Sequence, residues 1–345
     1  MIEKIKTARG LSSPWFRRVR SPWIIAAALV VVVVASACAP TKPPPPIPAP
    51  TLTHDPSPPV TINGMDLHDG MVARHGEVHL YGTQYGCGFR WLDASTPWCG
   101  FGVSSAPSLD GPWSPPTLLF DPAAWQDRCR YDGCFNPRMV RRADGAYVLW
   151  FNAPGDYRKN GWNAYYSMTC DGPEGPCHDE RKPDLWVCGG NGDASVVPMD
   201  IEIVAAGADL WLFCTQPDQT IGQEKLDGSG TSGTGEGSST LAGAHDVEAP
   251  GVYRDNGADT WVMTFSDPNC GFCGGTGTGY ATAPDISGSW TYRGKLSEHS
   301  CSGQPRTVDI VDTHPYQHID QWNNGNPNET NANTLLAPLA GMECP

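Results

Sequence analysis

Three acidic residues precede short apolar segments that have the character of strands. They are Asp69 in "LHDGMVAR", Asp200 in "VPMDIEIVA" and Glu248 in "HDVEAPGVYR". Carboxyl groups that share a confined space raise one another's pKa, so one can stay protonated near neutral pH while another is ionised. Such a pair provides an acid for a leaving group and a base for water, as glycosidic hydrolysis requires. We therefore take all three as candidate catalytic residues.

Further polar and aromatic residues could contact a sugar. His68 and His245 each lie close to a candidate acid, although a structural role explains these histidines equally well. The related segment 134–142 carries Asn136 and Arg138 instead of an acid, and we expect Arg138 to orient a carboxylate or a substrate hydroxyl. Most of the 13 tryptophans should be core residues. Three are candidates for stacking on sugar rings: Trp91, Trp98 and Trp322.

The segments that must position these residues repeat along the chain. Short alternating runs rich in Trp, Tyr and Val are separated by Gly, Pro, Asn and Asp, which is typical of all-β proteins. The phrases "FGVSSAPSLDGPW", "AYYSMTCDGPEGP" and "TGYATAPDISGSW" are alike, and each follows a companion strand. A fourth companion, "GADLWLFCT", lacks a clear second half before a Gly/Ser/Thr-rich loop at 227–243.

Repeats of about 50 to 70 residues, each made of several strands, indicate a β-propeller. Four such units and a closing segment at 300–340 predict five blades. A β-sandwich is the alternative, but it does not explain the repeated phrase. The segment before each companion strand would be the innermost strand of its blade. The candidate acids would then meet at one end of the central channel.

At these residues the sequence resembles glycoside hydrolase family 43, whose members are five-bladed propellers with an Asp base, an Asp modulator and a Glu acid. "VEAPGVY" is similar to the family's Glu-containing motif and implies that Glu248 is the general acid. "PMDIEIVAAGADLWLFCT" implies that Asp200 is the modulator of its pKa. "LHDGMVARHGEVHLYGT" and the late "DQWNNGNPNETNANTLLAPL" resemble a galactanase-like branch. The first-blade motif departs from the usual Asp-Pro, and some members of that branch lack a base there, so the role of Asp69 is the least secure.

The N-terminal region predicts export. Basic residues precede an apolar run of 13 residues, Trp23 to Ala35, which suits a signal peptide and is too short for a membrane span. "ASAC" then resembles a bacterial lipobox, which predicts lipidation of Cys38; an ordinary cleaved signal is the alternative. The predicted organisation is a signal peptide with lipobox at 1–37, an acylated cysteine and proline-rich stalk at 38–59, and a propeller at 60–345.

Cysteine content agrees with an exported protein. Without Cys38, twelve of the 13 cysteines remain, an even number that permits six disulfides. Three close pairs are expected to be bridged: Cys87/Cys99, Cys129/Cys134 and Cys170/Cys177. The Cys270–Cys273 pair is expected to be a local disulfide, because no second CxxC or histidine cluster accompanies it to make a zinc site.

The net charge of the chain limits the classes of ligand that it is expected to bind. The formal net charge is −14 although the N-terminal region is basic, so the remainder is strongly acidic. Nucleic acids and anionic lipid surfaces require a basic footprint, so neither is expected as the ligand. We expect a monomer, held to the membrane only through Cys38, with no metal and no cofactor. The predicted function is inverting hydrolysis of galactan- or arabinan-type polysaccharide, with exo or debranching action. A non-catalytic carbohydrate-binding propeller is the alternative, and a purely structural envelope protein is a weaker one.

Overall fold

The computed structural model describes residues 57–160, 163–188, 201–206, 209–238, 243–269, 275–322, 332–339, 342 and 344–345. The predicted leader and most of the predicted stalk lie outside these residues. Among the described residues, no helix is both long enough and apolar enough to cross a membrane.

Strands dominate the described chain. The strands of the first half are β1 (Val60–Ile62), β2 (His68–His75), β3 (Glu77–Thr83), β4 (Phe101–Ala106), β5 (Thr117–Leu118), β6 (Phe135–Arg141), β7 (Tyr147–Asn152), β8 (Tyr165–Cys170) and β9 (Cys177–Arg181). Those of the second half are β10 (Ile201–Ala206), β11 (Asp209–Thr215), β12 (Ile221–Leu226), β13 (Gly233–Ser238), β14 (Glu248–Asp255), β15 (Thr260–Asp267), β16 (Gly277–Ala283), β17 (Thr291–Ser297), β18 (Gln304–Val311), β19 (His314–Gln321) and β20 (Asn333–Pro338). The α-helices are α1 (Gln126–Cys129) and α2 (Pro154–Asn160), and short 3₁₀ turns cover Pro122–Trp125 and Ser300–Ser302.

These strands form five four-stranded sheets arranged in a ring, which confirms the predicted five-bladed β-propeller. In chain order the blades begin at β2, β6, β10, β14 and β18. Each of these innermost strands contacts the innermost strand of the next blade, and β18 returns to β2. All strand pairings within the blades are antiparallel, as in β3 with β4, where Val78 pairs with Ala106.

Blade 5 closes the ring with strands from both ends of the propeller. Its sheet has the order β18, β19, β20, β1, and Val60 of β1 pairs with Leu336 of β20. The sequence predicted the closing segment, but it did not show that the segment at Val60–Ile62 would supply the outermost strand. This pairing ties the start of the propeller to its end without a covalent bond.

The Gly/Ser/Thr-rich stretch at 227–243 was predicted as a loop, and this was wrong for part of it. Gly233–Ser238 is an edge strand that pairs with β12, so blade 3 also has four strands. Exposed glycines conceal such a strand in a sequence, because no apolar side chain marks the alternation. Two of them have no room for a side chain: an added Cβ on Gly233 would lie 2.0 Å from the Glu224 carboxylate, and one on Gly237 would lie 2.1 Å from a backbone oxygen.

Apolar side chains fill the space between neighbouring sheets. The core cluster between blades 1 and 2 includes Phe101 and Phe151, both fully buried, with ring centroids 5.1 Å apart. Disulfides support the loops, as predicted for Cys87–Cys99, Cys129–Cys134 and Cys170–Cys177. Cys188–Cys214 and Cys301–Cys344 are also bonded. The predicted Cys270–Cys273 bridge lies outside the described residues.

A recurring bulge at the start of the innermost strands positions the candidate residues. The pairing with the second strand shifts between His68 and Met71 in blade 1 and between Glu248 and Gly251 in blade 4. Blades 2 and 5 have the same irregularity. Asp69, Asn136 and Ala249 lie at corresponding places in it, with left-handed φ values of 53°, 57° and 59°. A bulge interrupts the regular alternation of side chains along a strand. It can therefore point a polar side chain in a direction that a regular strand would not allow.

Candidate active site

Asp69 is buried beside the innermost strand of blade 2. Its side chain is 4% exposed and accepts hydrogen bonds at Oδ1 from the Thr83 hydroxyl (2.7 Å) and from the Asn136 backbone N–H (3.2 Å). The Tyr85 hydroxyl donates to Oδ2 at 3.2 Å. Burial raises the pKa of Asp69 to about 6, although the nearby Arg306 guanidinium opposes the rise. The carboxyl group therefore ionises within a pH range that suits a general base.

Glu248 begins the innermost strand of blade 4 and is 6% exposed. The Gln304 side-chain amide of blade 5 donates to its Oε1 at 3.0 Å. On the other side, the backbone N–H of Ala249 donates to the Thr215 hydroxyl of blade 3 at 3.1 Å. Contacts with both neighbouring blades fix the turn that carries this carboxyl group.

Blade 5 lies between the two candidate acids and contacts the surroundings of both. Gln304 and Arg306 stand two residues apart at the start of β18. Gln304 contacts Glu248, whereas Arg306 donates to the Asn136 side-chain oxygen and lies 3.7 Å from the carboxylate of Asp320. A single strand therefore connects the acid of blade 4 to the environment of Asp69.

A ring cluster extends this connection. The Trp322 indole N–H donates to Gln304 Oε1 at 3.0 Å, and its ring lies 5.7 Å from that of His68. His68 is fully buried, 5.6 Å from the Tyr85 ring, and its Nε2 lies 3.5 Å from Asp66. Trp322 is 5% exposed, so its main observed role is to hold Gln304.

The other predicted contacts occupy different environments. Arg138 is 2% exposed and donates to the Asp69 backbone carbonyl at 3.2 Å, so it orients the peptide of a candidate catalytic residue. Asn136, whose side chain donates to Asn152 at 3.0 Å, belongs to the same network. His245 is exposed in the turn before β14, and Asp200 lies outside the described residues.

The two remaining tryptophans differ in their access to solvent. Trp98 is 1% exposed, and its indole N–H donates to the Cys134 carbonyl at 3.1 Å. Its ring packs edge-on against Phe101 at 4.9 Å, so it presents no face to a sugar, and we do not retain it among the proposed contacts. Trp91 is partly buried at the margin of the same core and keeps an accessible surface.

Sequence reasoning missed several residues of this region, including Thr83, Tyr85, Thr215, Gln304, Arg306 and Asp320. A signal for Gln304 and Arg306 was present, because "GQPRTV" begins the innermost strand of blade 5 and corresponds to the segments already compared. Asp320 has no such signal, since it lies on the second strand, β19. Within the described residues, no group of three or more His, Cys, Asp or Glu side chains is arranged to hold a metal ion.

Comparisons with known proteins agree with this architecture. No family model matches the chain, and neither does any curated protein. A solved structure described as a GH43 β-1,3-galactosidase is 16% identical, with a TM-score of 0.60, over 79% of this chain and 56% of its own. An exo-β-1,3-galactanase from Phanerochaete chrysosporium, bound to galactose, is 14% identical with a TM-score of 0.60, over 79% of this chain and 60% of its own.

A third structure, the exo-β-1,3-galactanase 1,3Gal43A from Clostridium thermocellum, is 14% identical with a TM-score of 0.59, over 81% of this chain and 62% of its own. The chain therefore spans less than two thirds of the length of these proteins, and at such identity the likeness concerns the fold. The ring of blades and these matches together identify the chain as a five-bladed β-propeller with the fold of solved family GH43 galactosidases and galactanases.

Proposed function

We propose that this protein is an exported glycoside hydrolase that acts on galactan- or arabinan-type polysaccharide, with Glu248 as general acid and Asp69 as general base. The observation that carries the proposal is that both carboxyl groups are buried at the start of two innermost strands, Asp69 within the bulge of blade 1 and Glu248 directly before the bulge of blade 4, with blade 5 between them. The solved structures of this fold include proteins described as galactanases, which favours galactan within that substrate class.

The surroundings of each carboxyl group fit its proposed role. Asp69, with a pKa of about 6, is mostly ionised at neutral pH and can accept a proton from water. Glu248 receives a hydrogen bond from the Gln304 amide at one oxygen, which orients the group toward a leaving oxygen. With an acid and a separate base, water attacks the anomeric carbon directly and the configuration inverts. Asp200 is the proposed modulator of the acid.

Replacement of the proposed acid tests the reaction. Glu248→Gln should reduce hydrolysis of natural galactan linkages by about 10²–10⁴-fold. It should affect nitrophenyl galactosides less, because an activated leaving group needs little protonation. Asp69→Asn should impair both substrate types, since every leaving group requires an activated water. Glu236→Gln, at an exposed position of blade 3, is the matched control and should retain wild-type rates. Equal rates for wild type and Glu248→Gln on all substrates would place the acid elsewhere.

A non-catalytic carbohydrate-binding propeller remains the second candidate, and one observation favours it. Both oxygens of Asp69 already accept hydrogen bonds from protein groups, which leaves fewer lone pairs for a water. In that case galactan oligosaccharides would bind in calorimetry while chromatography finds no product after prolonged incubation. Release of galactose or a short oligosaccharide would decide for the hydrolase.

Export and anchoring form a separate part of the proposal. The basic and apolar N-terminal region followed by "ASAC" supports lipidation of Cys38, with residues 39–59 as a stalk that holds the propeller away from the membrane. Labelled palmitate should enter the wild type and be absent from Cys38→Ala, which should leave the membrane fraction. Equal labelling of both proteins would exclude acylation at this cysteine.

A further inference from the structure

A chain of buried charged groups leads from blade 5 to Asp69. Asp320 on β19 is fully buried, and its Oδ2 accepts the backbone N–H of Asp69 at 3.0 Å. Its Oδ1 lies 3.5 Å from Nε2 of His318, whose Nδ1 lies 2.7 Å from a carboxylate oxygen of Asp309. The proposed reaction uses none of these three groups. Burying them costs free energy unless each charge lies beside a charge of opposite sign.

The signs of these charges alternate along the chain of contacts. An imidazolium at His318 stands between two buried carboxylates, Asp309 and Asp320, and the Arg306 guanidinium lies on the other side of Asp320. Burial by itself lowers the pKa of His318, but the two carboxylates outweigh it and raise the pKa to about 9. Burial would raise the pKa of Asp320, but the close contact with His318 and the positive charge of its ring hold that pKa below the ordinary value. His318 is therefore protonated and Asp320 ionised at neutral pH.

The contact between Asp320 and Asp69 determines a backbone conformation. Asp69 has a left-handed φ of 53°, which is uncommon for a residue with a side chain and needs support from its surroundings. The Asp320 carboxylate supplies a charge-assisted acceptor for the peptide N–H, and Arg138 donates to the carbonyl of the same residue. The two contacts hold the peptide groups on either side of the Asp69 Cα, and so fix the direction of its side chain.

We propose that Asp320 and His318 form a buried positioning pair, in which His318 keeps Asp320 ionised and Asp320 fixes the backbone and the electrostatic environment of the base Asp69. This inference rests on the proposed function for the role of Asp69 as base. It adds two buried residues, on the second strand of blade 5, to the surroundings of the proposed base.

Each member of the pair makes its own prediction. Asp320→Asn removes an anion near Asp69 but retains an oxygen that can accept its N–H, so the pKa of Asp69 should fall by about one unit. His318→Gln removes the cation that keeps Asp320 ionised, so the pKa of Asp320 itself should rise by at least about one unit. The remaining charged or titratable groups that face the pair and Asp69 stay in place in both variants: His68, Tyr85, Arg138, Arg306 and Asp309.

The decisive measurement needs no substrate. The protein labelled with ¹³C at the aspartate carboxyl carbon is titrated by NMR, and the Asp69 and Asp320 signals are identified by their loss in Asp69→Asn and in Asp320→Asn. The expected result is a downward shift of the Asp69 pKa in Asp320→Asn and an upward shift of the Asp320 pKa in His318→Gln. The matched controls are Asp171→Asn and His178→Gln, which break an exposed His–Asp pair with a nitrogen–oxygen distance of 3.0 Å in blade 2 and should move nothing. An unmoved Asp69 pKa in Asp320→Asn, or an unmoved Asp320 pKa in His318→Gln, would overturn the proposal.

Kinetics with galactan then separate this inference from the proposed function. The acidic limb of the pH–rate profile should move to lower pH in Asp320→Asn, as the NMR value of Asp69 does, with KM changed less than kcat. Asp320→Ala, which also removes the acceptor, should lower kcat by at least about tenfold more than Asp320→Asn. Both expected NMR shifts in a protein that hydrolyses no glycan would uphold the pair and refute the hydrolase. Hydrolysis with an unmoved pH profile would refute the pair alone.

Discussion

Replacement of Asp69 by Asn is expected to stabilise the fold at neutral pH. The pKa of this carboxyl group is raised from 3.8 to about 6, chiefly by burial. In the unfolded chain the group ionises near pH 4, whereas in the folded protein it holds its proton to about pH 6. Stability contributed by the group is complete below pH 4 and is lost as the pH rises through 6. The difference in pKa corresponds to about 3 kcal/mol at pH 7 and above.

Asparagine fits the same site. Oδ1 is the atom that accepts from Thr83 and from the Asn136 N–H, and an amide oxygen can do both. Oδ2 accepts from the Tyr85 hydroxyl, and an amide nitrogen in its place can donate to that hydroxyl oxygen once the hydroxyl hydrogen rotates. Asparagine also tolerates the left-handed conformation. The variant therefore loses the ionisation cost without losing its main contacts.

Urea unfolding with the disulfides intact, repeated between pH 4 and pH 8, measures this effect. The free energy of unfolding of Asp69→Asn should exceed that of the wild type by up to about 3 kcal/mol at pH 8, and the two should converge near pH 4. Asp93→Asn is the control. Hydrogen bonds from Ser95 lower the pKa of Asp93, so this substitution should not increase the free energy of unfolding. If the wild type is as stable as the variant at pH 8, ionisation of the buried Asp69 carboxyl group does not destabilise the fold, and the reasoning is refuted.

Two further predictions concern the scaffold. Gly70→Ala should destabilise the propeller by more than about 3 kcal/mol in urea unfolding, because the new Cβ would lie 1.9 Å from the Tyr81 carbonyl oxygen; Gly172→Ala, with its nearest neighbour at 4.0 Å, should cost less than about 1 kcal/mol. Loss of the Cys301–Cys344 bridge by the double serine variant should cost about 4 kcal/mol, since the bond closes a segment with a sequence separation of 43. Equal free energies of unfolding for the two Gly variants would contradict the first prediction. A double serine variant as stable as the wild type would contradict the second.

Local sequence patterns were sufficient to predict the five blades. The companion strands are short runs rich in Trp, Tyr and Val, and turns rich in Gly and Asp separate them, so the blade number follows from their repetition together with the closing segment. Disulfides between cysteines that are close in sequence, such as Cys129–Cys134, were also predictable from local sequence. Edge strand β13 was missed because its glycines carry no side-chain pattern.

The sequence by itself determined which carboxyl groups stand at the start of the innermost strands, Asp69 and Glu248 among them, because those positions recur with the repeat. Tertiary structure alone decided what surrounds them. Asp320 reaches Asp69 across 251 residues of chain, and Gln304 reaches Glu248 across 56. Ring closure brings the last blade against the first, and the environment that sets the pKa of a buried group depends on distances in space, which no local pattern encodes.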